Sequence, residues 1–313
     1  MSKKKSRIRF RDLHGIVLLD KPLGLSSNAA LQVVRKGIFR AEKGGHTGAL
    51  DPLATGLLPL CFGEATKLAG MLLGSRKAYV AECRLGATTS TADLEGEIVL
   101  ERPVPVLSDD AIEASLTKLR GRITQIPPAY SAIKVEGEPL YLKARRGEAV
   151  DVPAREVDIY RLELLSRSAD SLTLYVECGS GTYVRSLAVD LGEDLGCGAH
   201  LTALRRLWVE PFREPAMVTV EQLEAAAAQG DDALLALLLP VSAGLAGLPE
   251  LHLDAQRTAA VSQGQQIPVD PALSGQLAVF ADDGQLLILG EAVGGRLHIV
   301  RGFNLSSTRQ FCS

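Results

Sequence analysis

The segment that decides the fold runs from Gly44 to Gly56 and reads GGHTGALDPLATG. Its four glycines let the backbone adopt turns that other residues avoid and allow a ligand to approach closely. Asp51 precedes Pro52, which disfavours helix and pushes Asp51 towards an extended conformation. The segment is too broken for a regular element and predicts a turn that projects one carboxylate into a cleft. From the spacing alone, ordinary Asp-Pro turn chemistry without a catalytic role is the more common explanation of the same residues.

Elements of both kinds surround this segment. Apolar patterning predicts strands at 15–19, 78–85, 157–165 and 171–178, and helices after Ser26 or Ser27, at 63–73, from Ser108 to Gly121, at 182–195 and at 220–239. Helices and strands mixed in this order favour an α+β fold over regular βαβ repetition. Residues 126–150 lack periodic patterning and predict a long surface excursion, a kind of loop that is usually functional or disordered.

A second unit is predicted from Leu248 onwards. Short strand-like runs at 276–280, 286–289 and 297–300 are separated by Gly or Asp turns. About 65 residues of such turn-rich sequence are typical of a small appended β-barrel.

The bulk composition leaves the function open. The chain has 313 residues, 46% of them hydrophobic, with a formal net charge of −3. A nucleic-acid-binding protein often carries a basic excess, because neutralising phosphates supplies much of its affinity. If RNA is the partner, the basic residues must therefore be gathered on one face.

Several classes of protein are disfavoured. The five cysteines form no Cys-x-x-Cys pair and the five histidines are scattered, so neither a disulfide framework nor a metal site is expected. No apolar stretch approaches the length of a membrane span. Residues 1–12 are basic but lack an apolar signal core, which predicts a flexible arm rather than a secretory leader.

A second glycine-containing turn, Cys178 to Arg185 (CGSGTYVR), follows a predicted strand and opens a predicted helix. Gly-x-Gly at such a junction is one feature of dinucleotide-binding sites. However, Val184 stands where the third glycine is needed, and Tyr183 and Arg185 crowd the place of a pyrophosphate. A dinucleotide cofactor is therefore disfavoured.

Taken together, five segments resemble motifs of the TruB family of pseudouridine synthases and occur in the same order. The segments are KPLGLSS, GGHTGALDPLATGLLPLCFGEATKL, KAYVAECRLG, IPPAYSAIKVEGEPLYLKARRGE and GSGTYVRSLAVDLGEDLGCGAHLTALRRL. The resemblance covers roughly residues 15–208. The C-terminal unit is similar to the small RNA-binding PUA-like barrel of such enzymes, although its motifs are weak.

The resemblance implies roles for individual residues. Asp51 aligns with the catalytic nucleophile, Arg185 with the arginine that pairs with it, and Tyr79 with the tyrosine that packs on the target base. His46 aligns with the residue that fills the gap left by a flipped nucleotide. Further substrate-binding residues are implied at Tyr183, Leu204 and Lys67. Without the resemblance, a strand tyrosine is most often core and a helical lysine is most often solvated.

The resemblance also implies the architecture. It predicts a pseudouridine-synthase core with a mixed, largely antiparallel sheet and flanking helices. The expected divisions are a basic arm at 1–12, a catalytic domain at 13–247 with an RNA-gripping insertion at about 124–152, and a PUA-like RNA-binding domain at 248–313.

The implied activity is isomerisation of uridine 55 in the T loop of tRNA, after the nucleotide has been flipped out. No cofactor is expected, because an isomerisation exchanges neither electrons nor groups with a second substrate. The expected partner is the T stem-loop of tRNA, with no obligatory protein partner and no membrane, for a cytoplasmic monomer. Three alternatives remain: a noncatalytic tRNA chaperone, a nucleotide-cofactor enzyme built on the second turn, and a guide-RNA-dependent relative.

Overall fold

A computed structural model of the chain describes residues 9–128, 130, 134–135, 137–140, 143, 146, 148 and 152–305. Most of the predicted basic arm and much of the predicted RNA-gripping insertion lie outside the described residues. The described part contains one large and one small β-sheet, two short β-pairs and a set of short helices.

The strands follow the chain as β1 (Gly15–Lys21), β2 (Gly44–His46), β3 (Ala54–Phe62), β4 (Lys77–Leu85), β5 (Ala87–Thr89), β6 (Ile98–Glu101), β7 (Gly121–Gln125), β8 (Lys134–Val135), β9 (Glu138–Pro139), β10 (Arg155–Arg167), β11 (Ser171–Cys178), β12 (Ala199–Val209), β13 (Glu250–Leu253), β14 (Ile267–Pro268), β15 (Gly275–Ala281), β16 (Leu286–Val293) and β17 (Arg296–Gly302). Eight of them form the large sheet in the order β1-β3-β12-β4-β11-β10-β7, with β2 paired to β3. The β3–β12 pair is parallel and the remaining pairs of this sheet are antiparallel. The predicted mixed, largely antiparallel sheet is confirmed.

The α-helices are α1 (Ser27–Gln32), α2 (Ala69–Leu73), α3 (Asp109–Lys118), α4 (Val184–Asp194), α5 (Val220–Gln229), α6 (Asp231–Leu235) and α7 (Ala255–Ser262), joined by a π-helix (Val33–Phe39) and two 3-10 helices (Gly63–Leu68 and Val241–Leu245). Ser26 caps α1 by accepting a hydrogen bond from the Ala29 amide. The single helix predicted at 220–239 is wrong. Gly230, at φ 128°, ends α5 and begins α6, because an α-helix cannot continue through that backbone conformation.

The prediction that 44–56 holds no regular element is also wrong at both ends. Residues 44–46 form β2, and β3 begins at Ala54. Only the turn between them, which carries Asp51, is irregular. That turn is therefore anchored by a strand on each side.

The large sheet buries one face in an aliphatic core. Leu58 and Leu60 of β3, Ala81 and Cys83 of β4 and Leu201 of β12 all contribute fully buried side chains to it. Removing this apolar surface from water is the main stabilising contribution to the fold. The three strands are adjacent in the order β3-β12-β4, so these buried side chains lie at the centre of the large sheet.

The C-terminal unit is a five-stranded sheet in the order β13-β15-β16-β17-β14, with α7 packed on its own small core. This agrees with the predicted PUA-like unit. A second apolar cluster joins the two sheets, since Phe280 and Leu289 of the small sheet share it with Leu57 of β3 and with Leu68 of the 3-10 helix that follows β3. The two sheets are therefore packed through a common core.

Candidate active site

The loop that carries Asp51 is fixed by a serine on α1. The hydroxyl of Ser27 accepts a hydrogen bond from the Leu50 amide at 2.7 Å and donates to the Leu50 carbonyl at 3.0 Å. Ser27 is 4% exposed, so water does not compete for these bonds. On the other side of Asp51, its carbonyl accepts from the Ala54 amide at 3.0 Å. These hydrogen bonds fix the backbone on both sides of Asp51, so its carboxylate projects from the loop.

Asp51 pairs with Arg185 from the first turn of α4. Nη2 of Arg185 lies 3.0 Å from Oδ2 of Asp51. The arginine side chain is only 4% exposed, whereas that of the aspartate is 42% exposed. The guanidinium therefore stands behind the carboxylate and orients it, while the carboxylate faces outward.

Arg185 is itself held by three further oxygens. Nη1 donates to the Thr91 carbonyl at 3.0 Å and Nη2 donates to the Tyr130 carbonyl at 2.8 Å. Nη1 also lies 3.6 Å from Oδ2 of Asp93, a carboxylate that is 2% exposed. Asp93 is a residue of the candidate site that the sequence analysis did not single out. Its spacing carried no signal, because the contact joins two distant segments.

The pKa of Asp51 is raised above its usual range. Burial is the largest cause, Arg185 opposes it, and the nearby negative charge of Asp93 adds to it. The ion pair nevertheless keeps the charged form available. A half-exposed carboxylate with a raised pKa and a fixed direction is suited to nucleophilic or base chemistry.

A second unpredicted residue is Lys21, the last residue of β1. It is 0% exposed, and its ammonium group donates to the carbonyls of Leu25 at 2.6 Å and Pro22 at 2.9 Å. Burial lowers the pKa of Lys21 to about 8, and the charge of Asp51 opposes that shift. Lys21 thus places a second positive charge near the loop that carries Asp51.

Tyr79 and Leu204 lie on neighbouring central strands. Tyr79 on β4 is 7% exposed, and Leu204 on β12 is 8% exposed. Leu204 pairs with Ala54 of β3 on one side and Ala81 of β4 on the other. It therefore lies beside the end of the loop that carries Asp51. Burial raises the pKa of Tyr79, so its hydroxyl stays protonated at neutral pH.

Arg206, two residues after Leu204 on β12, is buried and was not predicted as a site residue. It is 0% exposed, and its positive charge opposes the rise that burial causes in the pKa of Tyr79. Its Nε donates to the Leu57 carbonyl at 2.7 Å and its Nη2 to the Gly48 carbonyl at 3.1 Å. One guanidinium therefore links the loop that carries Asp51 to β3.

His46 ends β2 at the start of the loop. Burial lowers its pKa, and the charge of Arg206 lowers it further. Within the part of the chain that the structure describes, its buried Nδ1 has no hydrogen-bond partner. The imidazole is therefore neutral at physiological pH and keeps one polar atom for an external group.

Tyr183 precedes α4 in the second glycine turn. The guanidinium of Arg155 lies 4.8 Å from its ring centroid, and Gln125 exchanges hydrogen bonds with its backbone. The strand before this turn, β11, is antiparallel to both of its neighbours. A dinucleotide site needs a parallel βαβ unit, so the structure does not support that interpretation.

Lys67 lies at the junction with the C-terminal unit rather than beside Asp51. Its ammonium group is 2.5 Å from Glu64 and donates to the Gly302 carbonyl at 2.8 Å. Glu64 also accepts from the Asn304 amide at 2.7 Å. The predicted contact of Lys67 with RNA remains a prediction.

The described residues include no cluster of three His, Cys, Asp or Glu side chains that could hold a metal ion. None of the helices within the described ranges is long and apolar enough to cross a membrane. Cys61, Cys83, Cys178 and Cys197 are free and buried.

Three family models match the chain. Residues 36–184 match the TruB family pseudouridylate synthase N-terminal domain, and residues 185–246 match the tRNA pseudouridylate synthase B C-terminal domain. Residues 249–302 match the C-terminal domain of pseudouridine synthase II TruB. The matches are consecutive and include every strand of the two sheets except β1.

Curated relatives agree over nearly the whole chain. The tRNA pseudouridine synthase B of Xanthomonas campestris pv. campestris is 58% identical over 96% of this chain and 97% of its own length. The enzymes of the same name from Xylella fastidiosa and Cupriavidus metallidurans are 57% and 49% identical, covering 96% and 93% of this chain and 99% and 94% of their own lengths.

A solved structure shares the fold. A chain in the crystal structure of a Cbf5-Nop10-Gar1 complex superposes with a TM-score of 0.72 at 25% identity, covering 93% of this chain and 85% of that one. This likeness includes both the large sheet and the C-terminal unit. The chain therefore belongs to the TruB family of pseudouridylate synthases, the isomerases that convert uridine to pseudouridine in tRNA.

Proposed function

We propose that the chain isomerises uridine 55 in the T loop of tRNA and that Asp51 carries out the chemistry. The observation that carries this proposal is the unequal burial of the ion pair. Arg185 is 4% exposed and Asp51 is 42% exposed at a separation of 3.0 Å. A buried guanidinium fixes the direction of the carboxylate, and the exposure of the carboxylate lets it reach a substrate, as a catalytic group must.

The reaction breaks the bond between N1 of uracil and C1′ of ribose and forms a bond between C5 and C1′. C5 loses a proton and N1 gains one, so atoms and electrons balance without a second substrate. Asp51 assists by attacking C1′, by attacking the base, or by removing a ribose proton. All three routes need a carboxylate that is ionised and held in one direction. Arg185 favours the ionised form of Asp51 and orients it.

The target nucleotide must leave the stacked T loop before it can meet Asp51, at a cost of a few kcal/mol. We assign the wall of the uracil pocket to Tyr79, Tyr183 and Leu204. The aromatic face of Tyr79 would hold the freed base without requiring one hydrogen-bonding edge. His46, neutral and with an unpartnered ring nitrogen, would occupy the gap left in the RNA.

The test incubates an unmodified tRNA transcript with the purified protein and no added cofactor, metal or guide RNA, and then maps pseudouridine along the whole transcript. We expect modification of uridine 55 alone. Asp51→Asn should fold normally and lower the single-turnover rate by at least about 10³-fold. Pseudouridine at another position, or full activity of the Asp51→Asn variant, would overturn the proposal.

The same experiment separates the remaining alternatives. If Asp51→Asn still promotes tRNA folding while making no pseudouridine, a tRNA-folding chaperone activity accompanies catalysis. Modification without guide RNA excludes a guide-dependent enzyme. High identity over 96% of the chain to enzymes named tRNA pseudouridine synthase B supports tRNA as the substrate. We further propose that the enzyme is cytoplasmic and acts as a monomer without an obligatory protein partner.

A further inference from the structure

Positive charge is concentrated at the beginning of the chain. Residues 1–43 hold 11 of the 34 lysines and arginines but only 3 of the 37 aspartates and glutamates. The rest of the chain is therefore strongly acidic, although the net charge of the whole is only −3. This asymmetry singles out one part of the molecule for binding an anionic partner.

Two segments of this part of the chain, one around Arg11 and one around Arg40, lie against each other. The segment from Arg9 runs beside the end of the π-helix, because the Arg11 amide donates to the Arg40 carbonyl at 2.7 Å and the Glu42 amide donates to the Arg11 carbonyl at 2.9 Å. Arg9, Lys36, Arg40 and Lys43 are exposed. We call these four residues the basic surface.

Most other exposed lysines and arginines of the described residues form ion pairs, whereas the members of the basic surface form none. Arginines that pair with carboxylates include Arg76, Arg102, Arg120, Arg146, Arg161, Arg205 and Arg213. Arg296 and Arg301 on β17 are also exposed without an ion pair, but they lie in the C-terminal unit. Among the described residues, no carboxylate lies within the 4.0 Å limit of an ion pair from any member of the basic surface. Unpaired, exposed cations are the ones that can neutralise phosphates.

Arg40 provides an independent observation. It caps the π-helix with φ 52° and ψ 38°, the left-handed conformation that is usually taken by glycine or asparagine. In the described residues only Ala92 is another non-glycine residue with positive φ. An arginine is disfavoured there by its Cβ, so its presence indicates a use for the side chain rather than for the turn.

We propose that the basic surface binds the sugar–phosphate backbone of tRNA next to the flipped nucleotide, and that Arg40 occupies its strained position for this contact. Lys43 is three residues from His46, which corresponds to roughly 10 Å of extended chain. Phosphates flanking a nucleotide held at His46 are therefore within reach. The same segments carry two acidic side chains, Asp12 and Glu42, against the four positive charges of the basic surface.

This inference rests on the proposed function for the place of the flipped nucleotide, but it is tested by binding rather than by catalysis. The variants are Arg40→Gly, Lys36→Gln and the double variant, each in the full chain. Arg84→Gln is the matched control, since Arg84 is 62% exposed, pairs loosely with Asp170 at 3.8 Å and lies on a different part of the sheet. Each variant is assayed for tRNA affinity at several salt concentrations, for melting temperature and for single-turnover rate with saturating enzyme.

For Arg40→Gly we expect tRNA affinity to fall by about threefold or more and the salt slope of log affinity to drop by about one, with an additive loss in the double variant. The melting temperature should stay unchanged or rise, because glycine relieves the left-handed strain. The saturated rate should match that of the unaltered protein and of Arg84→Gln.

A merely structural role for Arg40 predicts the reverse: lower melting temperature and unchanged salt slope. Unchanged affinity and salt slope in both Arg40→Gly and Lys36→Gln would overturn the proposal. Failure of the proposed function would appear differently, as pseudouridine at another position while the salt slopes still respond to these substitutions.

Discussion

Gly56 of β3 lies directly against the backbone of Arg206 on β12. A Cβ added to Gly56 would be 2.2 Å from the Arg206 carbonyl oxygen, and Gly56 has φ 96°. The two residues belong to the parallel register that also pairs Leu204 with Ala54. A glycine at this point therefore lets β12 approach β3, the strand that follows the loop with Asp51.

Replacement of Gly56 by alanine should destabilise the fold and impair activity together. The new methyl group meets backbone, which cannot move aside as a flexible side chain can, and the positive φ adds strain. We expect the free energy of unfolding to fall by more than about 2 kcal/mol. Chemical denaturation measures this change.

Gly70→Ala is the matched control, since Gly70 lies in α2 and an added Cβ would meet nothing within 4 Å. That variant should be as stable as the unaltered chain or slightly more so. Equal stability of Gly56→Ala and Gly70→Ala would contradict the close approach of β3 and β12.

Asp93→Asn should move the acidic limb of the pH–rate profile. In the proposed mechanism ionised Asp51 is the active form, so we expect activity to be lost as the pH falls through its raised pKa. The negative charge of Asp93 contributes to that raised pKa. Its removal should therefore shift the limb to lower pH, while the loosened Arg185 lowers the maximal rate by about 10- to 100-fold.

Single-turnover rates across the acidic range check both effects. Asp170→Asn serves as the comparison, because this aspartate is 57% exposed and far along the chain from the site. A limb that moves to higher pH in Asp93→Asn would show that Asp93 acts on Asp51 through Arg185 alone.

The sequence predicted the parts of the site whose signals are local. Glycines around Asp51 and the proline after it indicated a projecting turn, and the helix start at Val184 carried Arg185. Strands with regular alternation, such as β4 and β11, were also predictable, because their buried and exposed residues alternate.

The missed parts depend on long-range packing. The central strand β12 contains Arg205 and Arg206 and has two register shifts, so its apolar pattern is interrupted. Arg206 is nevertheless fully buried, because backbone carbonyls of Gly48 and Leu57 accept its hydrogen bonds. Similarly, Asp93 became a site residue only when the fold brought it to Arg185. Neither contact leaves a periodic signal.

Lys21→Met should reveal a buried charge through the pH dependence of stability. Burial lowers the pKa of Lys21 from 10.5 to about 8, so the unfolded chain binds more protons than the folded chain between those values. The contribution of Lys21 to stability therefore rises as the pH increases from 8 to 10.5, and is lost as the pH falls again. Methionine preserves the length of the side chain but cannot titrate.

The quantity to measure is the difference in free energy of unfolding between the unaltered chain and Lys21→Met at both ends of that range. Groups common to both proteins cancel in this difference, including the buried cysteines. We expect the unaltered chain to gain roughly 1–3 kcal/mol relative to the variant as the pH rises. A difference that is constant with pH would mean that the Lys21 ammonium keeps its ordinary pKa, and that its hydrogen bonds to Pro22 and Leu25 offset the cost of burial in full.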